Sequence, residues 1–186
     1  MKSAIKIIIC ILCLFSFAYA RQDNKTYTDY MQATPVWMEP RNIKVYVEES
    51  PKKHILLNAF NIWDKALRSD LNFKFVNSLN QADISIGYVE KISGNAVGLT
   101  YPNYLTIQGK EYLYKAKVQI SKTDPVGFIQ NDAALLKVAL HEIGHAIGII
   151  GHSNSINDIM YYSTPSTKNT SPSLRDIDTI NKLYGF

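Results

Sequence analysis

His141-Glu142-Ile143-Gly144-His145-Ala146-Ile147-Gly148-Ile149-Ile150-Gly151-His152-Ser153 contains three of the chain's four histidines. His141 and His145 lie four residues apart. On a helix they stand one turn apart on one face, so both rings can reach a single ion. Glu142 is the next residue round that helix, beside the metal but outside the ligand positions. Two imidazoles with an adjacent carboxylate are the donor set of a zinc hydrolase. Zinc held by three protein groups keeps a fourth position for water and lowers its pKa to roughly 7. Glu142 is then placed to act as general base and to pass the proton to a leaving amine.

The third ligand must come from elsewhere in the chain. No glutamate follows Glu142, which leaves His152, Asp158, Asp176 and Asp178 downstream. Imidazole is the softer donor, and Gly148 and Gly151 let the backbone turn His152 back towards the helix. We therefore expect His141, His145 and His152 to hold one zinc ion. A bare His-Glu-x-x-His also occurs on surface helices with solvated histidines. The added glycine, third histidine and downstream methionine argue against that reading here.

With these residues in place, the chain resembles the metzincin metalloproteases, and most closely the matrixin (matrix-metalloprotease-like) branch in a small, bacterial-type form. The family pattern is His-Glu-x-x-His-x-x-Gly-x-x-His followed by a methionine turn. His141, Glu142, His145 and Gly148 match it, as does Ser153 after the third histidine. One departure is that three residues, Ile149, Ile150 and Gly151, separate Gly148 from His152 where the family has two. Asp158-Ile159-Met160-Tyr161 is similar to the methionine turn, with Met160 beneath the metal. Ser173-Leu174-Arg175-Asp176-Ile177-Asp178 resembles the closing helix, and Ala82-Asp83-Ile84-Ser85-Ile86 the third strand.

The resemblance implies an α+β fold. Its sheet would be five-stranded, twisted and mostly parallel, with an antiparallel edge strand, an active-site helix and a C-terminal helix. It implies that an extended polypeptide lies along the edge strand, here Ala96 to Tyr101, with Val97, Gly98, Leu99 and Thr100 above the metal. Tyr162 has two readings. It can donate to the developing oxyanion, or it can line the specificity pocket, which is the simpler role. Calcium is compatible with the sequence, but no residue pattern supports it.

Residues 1–20 read as a secretory signal peptide: Lys2 and Lys6, an apolar run from Ile7 to Ala18, and an Ala18-Tyr19-Ala20 cleavage site. That run is shorter than the roughly 20 residues that span a bilayer. Both cysteines, Cys10 and Cys13, leave with it, so no disulfide is expected in the mature chain. Residues 21–35 read as a polar arm, with Asp23 or Asp29 as candidates to reach the metal and impose latency. Residues 36–186 form one catalytic domain. The full chain has 20 basic and 16 acidic side chains, and loss of Lys2 and Lys6 leaves an excess of two. Such a mild balance does not suggest nucleic-acid binding. The expected product is a secreted monomer, extracellular or periplasmic, acting on proteins or peptides and not held at a membrane.

Periodicity places the remaining elements. Ile43, Val45 and Val47 alternate with polar residues as a half-buried strand. Leu56, Phe60, Trp63 and Leu67 form a helical core stripe after Pro51. Phe73 and Phe75, then Ile84, Ile86 and Tyr88, give two strands. Ala96 to Tyr101 and Lys115 to Ser121 give two more. Asn131 or Asp132 caps the motif helix, whose core side is Leu136, Leu140, Ile143 and Ile147. Ser173 and Asp176 start the last helix as a capping box. His54 reads as a solvated helix-start residue.

Two other functions fit part of this pattern. An inactive metzincin fold could bind peptides along its edge strand, although Glu142 argues against inactivity. A structural zinc staple would normally use four protein ligands.

Overall fold

The computed structural model describes residues 35–164 and 167–186. The expected signal peptide and all of the expected arm except Pro35 lie outside the described residues.

The alternation in β2 (Ile43–Val47) buries Ile43, Val45 and Val47 and leaves Lys44 in solvent. Helix α1 (Lys53–Ala66) buries Leu56, Phe60 and Trp63 completely against the sheet, and Leu67 caps its end. The short β3 (Phe73–Phe75) and then β4 (Ile84–Val89) follow, both parallel to β2. β5 (Gly98–Ile107) turns at Gln108 and Gly109 into β6 (Lys110–Ser121), which pairs parallel with β4. The motif helix is α2 (Asp132–Ala146), and α3 (Leu174–Tyr184) closes the chain.

The sheet carries the five expected strands and a sixth, the two-residue β1 (Val36–Trp37), parallel to β6. Its order is β1-β6-β4-β2-β3. β5 runs antiparallel along β6 from Gly98↔Ile120 to Ile107↔Lys110 and pairs with no other strand among the described residues. One long edge of β5 is therefore open, and Pro102, which lacks an N–H, is tolerated there. The core is continuous between the sheet and the helices: Val45, Ile84, Ile86 and Ile120 meet Phe60, Trp63, Leu140 and Ile143. No helix among the described residues is long and apolar enough to cross a membrane.

Candidate active site

The site is built on α2. Asn131 caps it by accepting from the Ala134 N–H at 2.9 Å. The helix is buried on nearly every side. Leu140, Ile143 and Ile147 occupy the expected core stripe, while Leu136 is only half-buried and Leu135, Val138 and Ala139 join the core instead. Two indoles hold the helix from behind: Trp63 Nε1 donates to Leu140 O at 2.9 Å and Trp37 Nε1 to Ala146 O at 3.0 Å.

Gly148 ends the helix. Its φ is +116°, a conformation that L side chains avoid, and a Cβ there would stand 2.9 Å from Pro35 O. Its N–H bonds His145 O at 3.1 Å, and the Ile149 N–H bonds Gly144 O at 3.0 Å. This pair of bonds is a Schellman cap. The cap aims the Ile149 carbonyl back at the site, where His145 Nδ1 meets it at 2.5 Å. Ile149 is fully buried and Ile150 half-exposed, so the extra residue before His152 is absorbed at the rim.

The rings of His141, His145 and His152 converge. One donor atom from each lies within 4.8 Å of the others, and no second group of this kind occurs among the described residues. His141 Nδ1 lies 2.8 Å from Ile159 O. A carbonyl only accepts, so Nδ1 of His141 and of His145 carries the proton and each Nε2 presents a lone pair. Those two Nε2 atoms are 3.1 Å apart. Facing lone pairs at that distance repel unless a cation sits against both. Burial, followed by the neighbouring His145, pushes His141 down to about 3, and burial pushes His145 down to about 4. Loss of water against the stacked His141 ring also lowers His152, although that residue lies on the exposed rim. All three are thus neutral near pH 7, which is the ligand form. The donor set fits zinc.

The other candidates are placed elsewhere. His54 is exposed on α1, and Asp178 is exposed on α3. Asp158 is buried and accepts from the hydroxyls of Ser153 and Ser173, the latter at 2.7 Å. Asp176 is fully buried. Its carboxylate accepts from Ile159 N and Ser173 N at 2.8 Å and from Met160 N at 3.3 Å. One aspartate therefore caps α3 and clamps the methionine turn, whose Ile159 carbonyl orients His141. Met160 is fully buried, and a Cβ at Gly144 would stand 2.3 Å from its sulfur. Only a glycine in the middle of the motif leaves room for that thioether.

Glu142 is buried at 6% exposure. Burial pushes its carboxyl up to about 7, against an opposing hydrogen bond from Thr100. The Thr100 hydroxyl lies 2.7 Å from Glu142 Oε2 and 2.9 Å from Glu142 O. At Gly98 a Cβ would stand 2.5 Å from Glu142 Oε1. The edge strand thus holds this carboxyl from both sides, a relationship that local sequence reading does not reveal because the partners are far apart in the chain.

These groups face a cleft of about 630 Å³ lined by β5 residues, the three histidines, Ile150 and the Tyr162–Thr164 segment. Gly98, Leu99 and Thr100 belong to both β5 and the cleft wall. Val97 lies just before the strand, buried, with its carbonyl accepting from Ser121 N at 2.9 Å. Tyr162 is 64% exposed, with its ring 4.4 Å from that of Tyr161.

The sequence family described as Matrixin (Peptidase_M10) matches residues 37–185. Metalloendoproteinase 1-MMP of Arabidopsis thaliana is 29% identical over 147 residues, 75% of this chain and 40% of that protein. Neutrophil collagenase of Homo sapiens is 28% identical over 155 residues, 78% of this chain and 31% of that protein. The chain spans less than half the length of the curated relatives it matches. The solved structure of myroilysin shares the fold, with a TM-score of 0.52 at 15% identity over 81% of this chain and 96% of that one.

Proposed function

Because the chain belongs to the matrixin family, we propose that it is a secreted zinc-dependent endopeptidase acting on extended polypeptides. The observation that carries the reading is the convergence of three neutral imidazoles next to a buried carboxyl, in a cleft walled by an open strand edge. His141, His145 and His152 would hold the ion. Zinc supplies a Lewis acid that polarises water and the scissile carbonyl.

The chain's own residues supply the rest. Glu142, whose carboxyl burial raises to about 7 in the metal-free protein and which a bound cation would draw back towards the carboxylate form, takes a proton from the attacking water and returns it to the departing amine nitrogen. Thr100 fixes one carboxylate oxygen, so the proton is exchanged at the other. The free edge of β5 offers backbone donors and acceptors that any extended peptide can match, which favours breadth in sequence over selectivity. Tyr162 is best read as a wall of the specificity pocket, since it lines the cleft and its ring packs against that of Tyr161. Met160 is a packing base without a chemical step. Export rests on the signal-like pattern of residues 1–20, and residues 36–186 act as one monomeric catalytic domain.

Casein hydrolysis by the zinc-loaded protein tests this reading, with and without chelator and with Glu142→Ala. We expect hydrolysis that chelator abolishes and zinc restores, and none from Glu142→Ala despite retained zinc. Zinc bound equally in both forms with casein cleaved by neither would overturn catalysis in favour of peptide binding.

A further inference from the structure

The segment between β6 and α2 displays three large apolar side chains to solvent: Val126 at 77% exposure, Phe128 at 73% and Ile129 at 82%. The segment is tightly built. Asp124 N donates to Phe128 O at 2.8 Å, Phe128 N donates to Asp124 Oδ1 at 2.8 Å, and Gly127 N donates to Asp124 O at 3.0 Å. Thr123 and Ile129 form a bridge, and Lys91 Nζ holds Pro125 O at 3.1 Å. A backbone held this firmly keeps its apolar side chains in water, where they gain nothing for the fold.

The ridge joins two concavities. Pro125 lines the catalytic cleft, as do Asn95, Ala96 and Val97. Four residues on, Ile129 lines a second pocket of about 280 Å³, with Leu135, Tyr88 and Pro51 among its walls. Val97 and Pro125 both line the cleft, and Val97 O is bonded to Ser121 N at the end of β6, so a chain leaving β5 at that end approaches the loop that carries Val126, Phe128 and Ile129. The lysines at the second pocket are neutralised: Lys52 pairs with Asp132 at 3.0 Å and Lys122 with Glu90 at 2.5 Å. Lys91 is committed to a carbonyl. A ridge with its flanking charges paired off favours an uncharged apolar peptide over an anionic lipid surface.

We propose that the Val126–Phe128–Ile129 ridge and the pocket behind it form an exosite for the polypeptide substrate, gripping apolar side chains of the segment that leaves the cleft at its Val97 end. This rests on the endopeptidase reading above. It implies that the protein distinguishes long unfolded chains from short peptides by contacts outside the cleft.

The test uses the full zinc-loaded chain as wild type and as Val126→Ser/Phe128→Ser, with two substrates: β-casein and a quenched peptide of about six residues, too short to pass the cleft. The expected result is about a tenfold rise in KM for casein with kcat retained, and short-peptide turnover unchanged. Equal effects on both substrates, or none on either, would overturn the exosite. A second arm places the same double substitution in the Glu142→Ala protein and reads labelled casein by fluorescence anisotropy. About tenfold weaker binding supports the exosite even if no form cleaves peptide, an outcome that would sink only the endopeptidase reading. Unchanged casein binding overturns it. So does binding to phosphatidylglycerol-containing vesicles that the substitutions abolish while casein binding persists, since the ridge would then serve a membrane.

Discussion

The hydroxyl of Thr100 on the open edge strand lies 2.7 Å from Oε2 of Glu142 on the site helix. The strand whose edge is open therefore also sets the position of the carboxyl proposed as general base. Thr100→Val removes that bond while keeping shape. We expect kcat to fall about tenfold, equivalent to ~1.4 kcal/mol of transition-state stabilisation, with KM and zinc content unchanged and with Thr100→Ser restoring most of the rate. A loss of zinc together with activity would show that Thr100 only supports the fold.

Gly98 presses on the same carboxyl from the other side. A Cβ there would stand 2.5 Å from Glu142 Oε1 and 2.7 Å from Val138 Cγ1. Gly98→Ala should force Glu142 aside, cost about 1–3 kcal/mol as overpacking, and reduce turnover more than Thr100→Val does. Wild-type turnover in the alanine variant would contradict the packing described.

Asp176 ties the last helix to the methionine turn through three backbone N–H donors. In Asp176→Asn one oxygen becomes an NH₂ facing a donor. The loss should be about 1–3 kcal/mol, read as a Tm lower by roughly 2–4 °C per kcal/mol. Zinc affinity should weaken as well, because the Ile159 carbonyl that orients His141 shares that turn. Calorimetry with zinc titration measures both, and an unchanged affinity would dissociate Asp176 from the site.

Acid should destabilise the zinc-free protein. His141 and His145 titrate at about 3 and 4 instead of 6.5, so the stability they contribute is present above pH 6.5 and is lost as pH falls. Glu142 runs the other way: raised from 4.5 to about 7, its contribution is present at low pH and is lost as pH rises through 7. Between pH 4.5 and 6.5 three lowered imidazoles, His152 among them, oppose two carboxyls raised by burial, Glu142 and Asp176. Stability should fall with acid by up to about 1.4 kcal/mol per pH unit. Urea unfolding of chelated protein across that range reads the slope, and a flat or reversed slope would contradict neutral, buried histidines.

Tyr162→Phe should leave casein turnover within about twofold, as expected of a wall residue. A loss on the order of 10² would instead assign the phenol to the oxyanion.

Much of this was legible because local spacing encodes it. The four-residue step from His141 to His145 is helical geometry, and the alternation from Ile43 to Val47 is strand geometry. The stripe Leu56, Phe60, Trp63 marks a buried face, and Ser173 with Asp176 does form its capping box. β1 was not legible, since two residues carry no period. The hairpin beyond Tyr101 was missed because Pro102 interrupts its pattern and its tip is exposed on both faces. The bonds from Thr100 to Glu142 and from Asp176 to the methionine turn span 42 and 17 residues. Only tertiary folding brings such partners together.

X-ray absorption at the zinc edge of the loaded full-length protein tests the central claim most directly. Three imidazole nitrogens at about 2.0–2.1 Å with a remaining water oxygen are expected, falling to two nitrogens in His152→Ala. A shell of only two imidazoles in the wild type, or one closed by four protein donors, would contradict it.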